Sequence, residues 1–368
     1  MKILFVLPRM VTGGVERVTL RLIEELQQRG HECAFALRQA YGEFLQEAQE
    51  LCPVFEIAAS GLHQFVPNLA KLIRKWEATH VISAFADIGF LTHLAIKRSG
   101  KKVFWSHGVH GPHDLITAKL TLMGRFRFYL DNLFASIVYQ KCDVVVAVSN
   151  GVQQDILNKF KCPQNKVITI YNPVLDETQF IPKSQATNLN HTIPKIIALG
   201  RLTRQKGFDI LIQAMQKVPQ PWRLEIWGDG EEKQTLQNMI NKYELKEHIF
   251  LMGNTSKPFE VLRQADLFVL SSRFEGLPTV LIEALCCQCN IVATNCPHGI
   301  SEILEDGRWG TLVKNENPDS LAQGIIQNLR EKKSIASQEL LYRAETFTIE
   351  KAVDAWEKVL RSFECNRK

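Results

Sequence analysis

Two carboxylates, Glu275 and Glu283, flank the run Gly276-Leu277-Pro278-Thr279-Val280-Leu281-Ile282. The apolar residues Leu267 to Leu270 ahead of them read as a buried strand, and Pro278 suits the first turn of a helix continuing through Ile282 and Leu285. Glu275 to Leu277 then form a loop at the carboxyl end of a parallel strand, where open α/β sheets bind ligands. Free N–H groups at the following helix end favour a phosphate. Glu283, about one and a half turns into that helix, is placed to accept hydrogen bonds from paired hydroxyls such as a ribose diol. The plain alternative for either residue is a solvated acid. Against it, Glu283 runs straight into the apolar Ala284-Leu285-Cys286-Cys287, and a carboxylate beside a buried run needs a partner.

Upstream, Gly200-Arg201-Leu202-Thr203-Arg204-Gln205-Lys206-Gly207 follows a strand at Ile196 to Leu199. Arg201 as a fork and Lys206 as a point charge would clamp a diphosphate; a solvated turn is the simpler reading of the loop alone. In the first half, Ile3 to Leu7, then Gly13-Gly14, then Val18, Leu22, Ile23 and Leu26 at helical spacing read as strand, glycine loop and helix. Paired glycines either let a backbone approach a bulky anion or make a tight turn. The pattern G-x-G-x-x-G is absent and no acid ends the second strand, Glu32 to Leu37, which argues against a nicotinamide dinucleotide. Ser106-His107-Gly108 is expected as a loop after a strand ending at Trp105, either without chemistry or with His107 reaching a ligand. His110 and His113 fit no regular metal-ligand face.

Stepping out to the elements, strands are predicted at His80 to Ser83, Lys102 to Trp105, Val144 to Val148 and Val167 to Tyr171. A second series follows at Leu224 to Trp227, Ile249 to Leu251 and Ile291 to Ala293. Alternation with helical patterns argues for parallel α/β sheets. The chain of 368 residues favours two domains, with a polar linker between them. The expected division is a first domain over 1–178, a linker over 179–195, a second domain over 196–345 and a final segment over 346–368. A net charge of +5 without a basic block does not point to nucleic acid. Ile3 to Leu7, stopped by Pro8-Arg9, is expected as a strand and not a signal peptide. The basic amphipathic stretch 114–141, with Lys119, Arg125, Arg127 and Lys141 among large apolar residues, suits an anionic lipid or acidic glycan, or a core helix with a solvated face. Cys286, Cys287, Cys289 and Cys296 are expected as reduced core residues.

Together, Gly13-Gly14, His107-Gly108, Val148-Ser149, Asn172-Pro173, Gly200-Arg201 with Lys206-Gly207, Gly228-Asp229-Gly230 and the Glu275-x7-Glu283 spacing resemble the GT-B glycosyltransferases of family 4 over nearly the whole chain. That family, also called glycosyl transferases group 1, is retaining and nucleotide-sugar-dependent. The resemblance implies an α/β fold of two Rossmann-like domains facing across a cleft, the last helix crossing back onto the first domain. It implies that Arg201 and Lys206 hold the donor diphosphate, helped by amides around Gly13-Gly14 and Leu277, Pro278, Thr279 and Val280. Glu283 would bind the ribose, Glu275, Gly276 and Leu277 the donor sugar, and His107 would touch that sugar. The base, UDP being common among relatives, would lie near Gly253-Asn254. His107, Glu275, Arg201 and Lys206 form the expected catalytic set, with no metal and no cofactor. The implied acceptor is a glycan or a lipid-linked or lipopolysaccharide-type oligosaccharide, met in the cytoplasm at the inner face of a membrane. The sequence departs from the family where Cys287-Gln288-Cys289-Asn290 lacks the usual glycine and proline, and where His298 replaces a small residue. A sugar-nucleotide epimerase of the same architecture and a non-catalytic nucleotide-binding module are the rival readings.

Overall fold

The computed structural model describes residues 1–11, 13–58, 61–111, 122–181, 193–331 and 337–365, apart from the side chains of 62, 122–127 and 363–365. Two compact units emerge, Met1–Pro173 with Ile349–Lys368, and Val174–Thr348. The division thus falls at 173/174 and 348/349, where the sequence suggested 178 and 345. Val174 and Leu175 already donate their N–H groups to the Phe347 carbonyl, both at 3.2 Å, which ties them to the second unit. The expected linker loses its first residues in the same way: Gln179 offers its carbonyl to Arg263 and to Cys286, while residues 182–192 lie outside the described ones.

In the first unit the described strands β1 (Lys2–Leu7), β2 (Glu32–Leu37), β3 (Val54–Glu56), β4 (His80–Ala84), β5 (Phe104–Val109), β6 (Val144–Ala147) and β7 (Val167–Thr169) form one parallel sheet. Its order is β3-β2-β1-β4-β5-β6-β7, so the winding reverses between β1 and β4. Ile3, Leu4, Phe5 and Val6 are all buried, the unbroken apolar run expected of a strand covered on both faces. The helices Gly14–Gln28 and Ile349–Cys365 share one core with β1: Leu20, Ile23, Val353, Trp356 and Leu360 pack with Ile3, Phe5 and Leu7.

An ion network holds the last helix to this unit. Glu357 takes a hydrogen bond from His31 at 2.6 Å, from Arg361 at 3.0 Å and from Arg29 at 3.1 Å. These donors, His31 first, hold the Glu357 carboxyl down to about 2. A carboxyl depressed in the folded state stabilises fully above its unfolded value and loses that contribution as pH falls toward the folded one. Glu357→Gln is therefore expected to lower the melting temperature near neutral pH by a few degrees, corresponding to about 1 kcal/mol. The same substitution should flatten the fall in melting temperature between about pH 4.5 and 2, as a thermal-melt series with pH would show.

In the second unit β8 (Lys195–Leu199), β9 (Arg223–Trp227), β10 (Ile249–Gly253), β11 (Leu267–Leu270), β12 (Ile291–Asn295) and β13 (Thr311–Lys314) form a second parallel sheet. Its order is β10-β9-β8-β11-β12-β13, with the reversal between β8 and β11. The edge strands β3 and β13, short and only partly apolar, escaped the sequence reading. No helix among the described residues is long and apolar enough to cross a membrane.

Candidate active site

The two loops picked out by their chemistry leave the carboxyl ends of β8 and β11, the neighbouring strands at the reversal. Diverging helices leave a crevice at such a point in a doubly wound sheet. Lys206, from the loop after β8, places its ammonium 2.6 Å from Glu275 Oε1 on the loop after β11. Both side chains are largely buried, at 16% and 7% exposure. Ser272 donates to the same Oε1 at 2.6 Å. Gln205 donates to the Phe274 carbonyl at 3.0 Å and reaches Glu275 Oε2 at 3.5 Å. Glu275 is thus an acceptor fixed from three directions, one of its oxygens taking both Lys206 and Ser272.

The backbone locks the loops together. Arg273 N–H donates to the Gln205 carbonyl at 2.8 Å, and the Arg273 guanidinium donates to the Arg204 carbonyl at 2.7 Å. The same guanidinium forks onto Asp209 at 2.8 and 2.7 Å and reaches Glu316 at 2.7 Å, which holds its pKa above the ordinary value. Gly207, at φ +63°, lies so close to the Ser271 carbonyl that a Cβ would collide with it. Behind Glu275, Gly299 at φ +71° sits where a Cβ would be 2.5 Å from the Gly276 carbonyl, and the Pro297 carbonyl accepts from the Glu275 N–H at 3.4 Å. His298, the departure noted in the sequence, takes a positive φ of 65° in this backing loop.

Arg201 is exposed, and among the described residues its guanidinium has no ion-pair partner. The helix Thr279–Cys286 begins after Pro278 with no side chain capping its amino end. Glu283 lies half-buried within that helix. Gly253 ends β10 at φ +79° and accepts from the Gly228 N–H at 2.7 Å, with exposed Asn254 next to it. The second unit therefore gathers Arg201, Lys206, Glu275 and the Gly276-to-Val280 helix entry around one strand reversal.

One expectation for the first unit changes. His107 is not in a loop: β5 runs on to Val109, pairing His107 with Ser83 and Val145. Its ring is 1% exposed, bonded to Ser83 Oγ at 2.9 Å and tilted against Tyr139. Neighbouring strands on both sides extended the ladder past the serine and glycine that suggested a turn, and the helix side of the sheet absorbed the ring. At Gly13-Gly14, the Glu16 carboxylate folds back to where a Gly13 Cβ would stand, and Glu16 is 5% exposed. The side chain that approaches Gly13 thus comes from the helix's own first turn.

In the stretch 114–141, residues 114–121 and the side chains of Arg125 and Arg127 lie outside what the structure describes. The helix Leu122–Lys141 buries Ala135, Val138 and Tyr139 and exposes Tyr129 and Leu133. Cys286, Cys287 and Cys289 are buried and donate to the carbonyls of Gln179, Phe259 and Leu262, with burial pushing the Cys286 thiol up to about 12. Ser272, Gln205 and Arg273 were missed as site residues. Adjacency to Glu275 and Lys206 was their only signal in the sequence, because their contacts cross from one loop to the other.

Residues 12–178 match the family model described as Glycosyltransferase Family 4, and residues 180–344 the one described as Glycosyl transferases group 1. An uncharacterized glycosyltransferase of Methanocaldococcus jannaschii is 30% identical over 278 residues, 63% of this chain and 68% of that one. The Campylobacter jejuni N-acetylgalactosamine-N,N'-diacetylbacillosaminyl-diphospho-undecaprenol 4-alpha-N-acetylgalactosaminyltransferase is 28% identical over 212 residues, 58% of each chain. Among solved structures, a glycosyltransferase of Rickettsia africae superposes with a TM-score of 0.82 at 21% identity over 98% of each chain. Anabaena HepE in complex with UDP and glucose gives 0.82 at 19% identity over 98% of this chain and 100% of that one. The chain is an enzyme of the group 1 glycosyltransferase family, with the GT-B fold.

Proposed function

We propose that the enzyme transfers a sugar from a nucleotide-sugar, with UDP as the carrier, to a hydroxyl of a glycan or lipid-linked acceptor, and that the anomeric configuration is retained. The observation that carries this reading is the junction of Lys206 with Glu275 at 2.6 Å across the β8/β11 reversal, with Arg201, which has no ion-pair partner among the described residues, on the same loop as Lys206. Arg201, Lys206 and the N–H groups entering the helix at Thr279 neutralise the departing diphosphate; no metal is assigned to this task. Glu275 and the Gly276-Leu277 backbone hold the sugar hydroxyls, Glu283 takes the ribose diol, and Gly253-Asn254 border the base. The bond from the anomeric carbon to the diphosphate oxygen breaks while the acceptor oxygen bonds to the same face of that carbon. The acceptor proton passes to the departing phosphate oxygen, so Glu275 acts by hydrogen bonding and not as a covalent nucleophile.

The lipid-diphosphate acceptor in the Campylobacter relative's name supports a membrane-borne acceptor here, and exposed Tyr129 and Leu133 on Leu122–Lys141 offer apolar contact for peripheral binding at the cytoplasmic face. The test is a thermal shift with UDP, GDP, ADP and NAD. UDP at about 100 times its Kd should add about 2.7 kcal/mol of stability. Arg201→Ala should weaken UDP at least about tenfold, since a charge-assisted pair to phosphate is lost. A response to NAD alone, or to none of the four, refutes the donor assignment. With an acceptor in hand, product of inverted configuration at the anomeric carbon refutes retention, and donor isomerised without any acceptor identifies an epimerase.

A further inference from the structure

The first unit contains a cavity of about 40 Å³ at the carboxyl edge of its sheet, and the transfer reaction proposed above assigns it no role. Its lining includes Leu7, Thr19, His110, Val148, Asn172 and Trp356, and none of the lining side chains is a Lys, Arg, Asp or Glu. Ser83 also lines it, with its hydroxyl already engaged by His107 and Trp105, which leaves Thr19, His110 and Asn172 as the other hydrogen-bonding residues besides the Trp356 indole. Thr19 spends its proton on the Val15 carbonyl at 2.8 Å, which leaves its oxygen lone pairs as acceptors. Among the described residues, neither the His110 ring nor the Asn172 amide has a hydrogen-bonding partner, although Asn172 is only 9% exposed. Buried polar groups are nearly always satisfied, so the buried Asn172 amide meeting the half-buried His110 ring in one cavity points to something that enters it.

Gly108 explains how the His110 ring comes to lie there. It occupies a strand position, pairing with Ala84 and Val146, and a Cβ on it would stand 3.1 Å from His110 Nε2. The bare Cα leaves room for the imidazole to fold over the end of the sheet. Desolvation pulls the His110 pKa down to about 4, so the ring is neutral near pH 7 and offers one N–H and one lone pair. A carboxylate or phosphate would meet no counter-charge among the lining residues, whereas a hydroxyl both donates and accepts, as this set requires. The volume takes a hydroxymethyl arm and not a whole pyranose ring. Leu7, Val148 and the Trp356 indole supply apolar walls for its C–H surface.

We propose that this cavity is an acceptor subsite that takes the uncharged hydroxymethyl arm of a hexopyranose, hydrogen-bonded by His110 and Asn172 and walled by Trp356. The assignment of that sugar as acceptor rests on the transferase reading above; the binding itself can be measured without donor. The test uses the full chain and simple probes: the methyl glycosides of glucose, galactose and N-acetylgalactosamine, each beside its 6-deoxy analogue. Binding is followed by the indole N–H resonance of Trp356, assigned through Trp356→Phe. At least one 6-hydroxy glycoside should shift that resonance saturably, and its 6-deoxy analogue should bind about tenfold more weakly, the worth of one to two hydrogen bonds. His110→Phe and Asn172→Ala should lose the same selectivity while keeping the thermal shift with UDP, which certifies their folding. His110→Gln, which retains a donor and an acceptor, should restore part of it. No shift with any glycoside, equal binding of the 6-deoxy forms, or full selectivity in folded His110→Phe would each overturn the subsite and leave a cavity for buried water. Loss of the UDP response in the unaltered protein would instead refute the donor assignment, with the glycoside result standing apart from it.

Discussion

Lys206→Ala is expected to lower kcat/KM by about 10²- to 10³-fold, the usual consequence of removing one preorganised stabiliser of developing negative charge. The same change should destabilise the second unit by about 3 to 5 kcal/mol, because it leaves the Glu275 carboxylate buried with its closest cation gone. Glu275 is 5% exposed, and with Lys206 removed only Ser272 and Gln205 among the described residues would still bond to its carboxylate. The stability loss and the catalytic loss have different origins, and a second substitution separates them. Glu275→Gln removes the stranded charge, so Lys206→Ala with Glu275→Gln should recover most of the stability while remaining inactive. Steady-state kinetics and denaturant titrations on the two single variants and the double variant form the cycle. A Lys206→Ala enzyme within about twofold of the parent would remove Lys206 from the proposed diphosphate clamp.

Gly207→Ala should be nearly as damaging, through the backbone alone. Gly207 sits at φ +63°, in the left-handed region, and a methyl there would run into the Ser271 carbonyl oxygen. A strained φ costs about 1 to 3 kcal/mol for a non-glycine residue, and relieving the collision requires the loops after β8 and β11 to part. The expected loss is about 3 kcal/mol or more, and activity should fall with it, since the Lys206–Glu275 contact depends on that spacing. Gly253→Ala is the control. It has a comparable φ of +79° but nothing within 4 Å of the added Cβ, so only the conformational term of about 1 kcal/mol applies. Equal melting temperatures for the two variants would show that the close approach at Ser271 contributes nothing.

The parallel α/β class and its strands were legible because both sheets are covered on both faces. Leu267–Leu270, Ile3–Leu7 and Val144–Ala147 are apolar without alternation, and no other local structure suits such short runs between helical patterns. The Glu275 loop was legible because Pro278 announces the helix that follows it. His107 was misplaced because the length of a strand depends on its neighbours as well as its own residues: β4 and β6 carry the ladder through Gly108. His110 and Asn172 could not be joined from sequence at all, since they stand 62 positions apart and meet only where β5 and β7 end on one side of the sheet.

By itself, then, the amino-acid sequence determined which chemistry is present: a cationic loop over Gly200–Gly207, an acidic loop and helix over Glu275–Glu283, and strands able to carry both. Residue type and short-range periodicity are local properties, and one chain states them completely. Only the tertiary structure decided that Lys206 and Glu275 share an ion pair while Arg201 does not, that Ser272, Gln205 and Arg273 hold the junction, and that His107 lies in a core. Strand order is the physical reason. Placing β11 beside β8 brings residues 69 positions apart to within 2.6 Å, and that adjacency follows from the packing of the whole sheet.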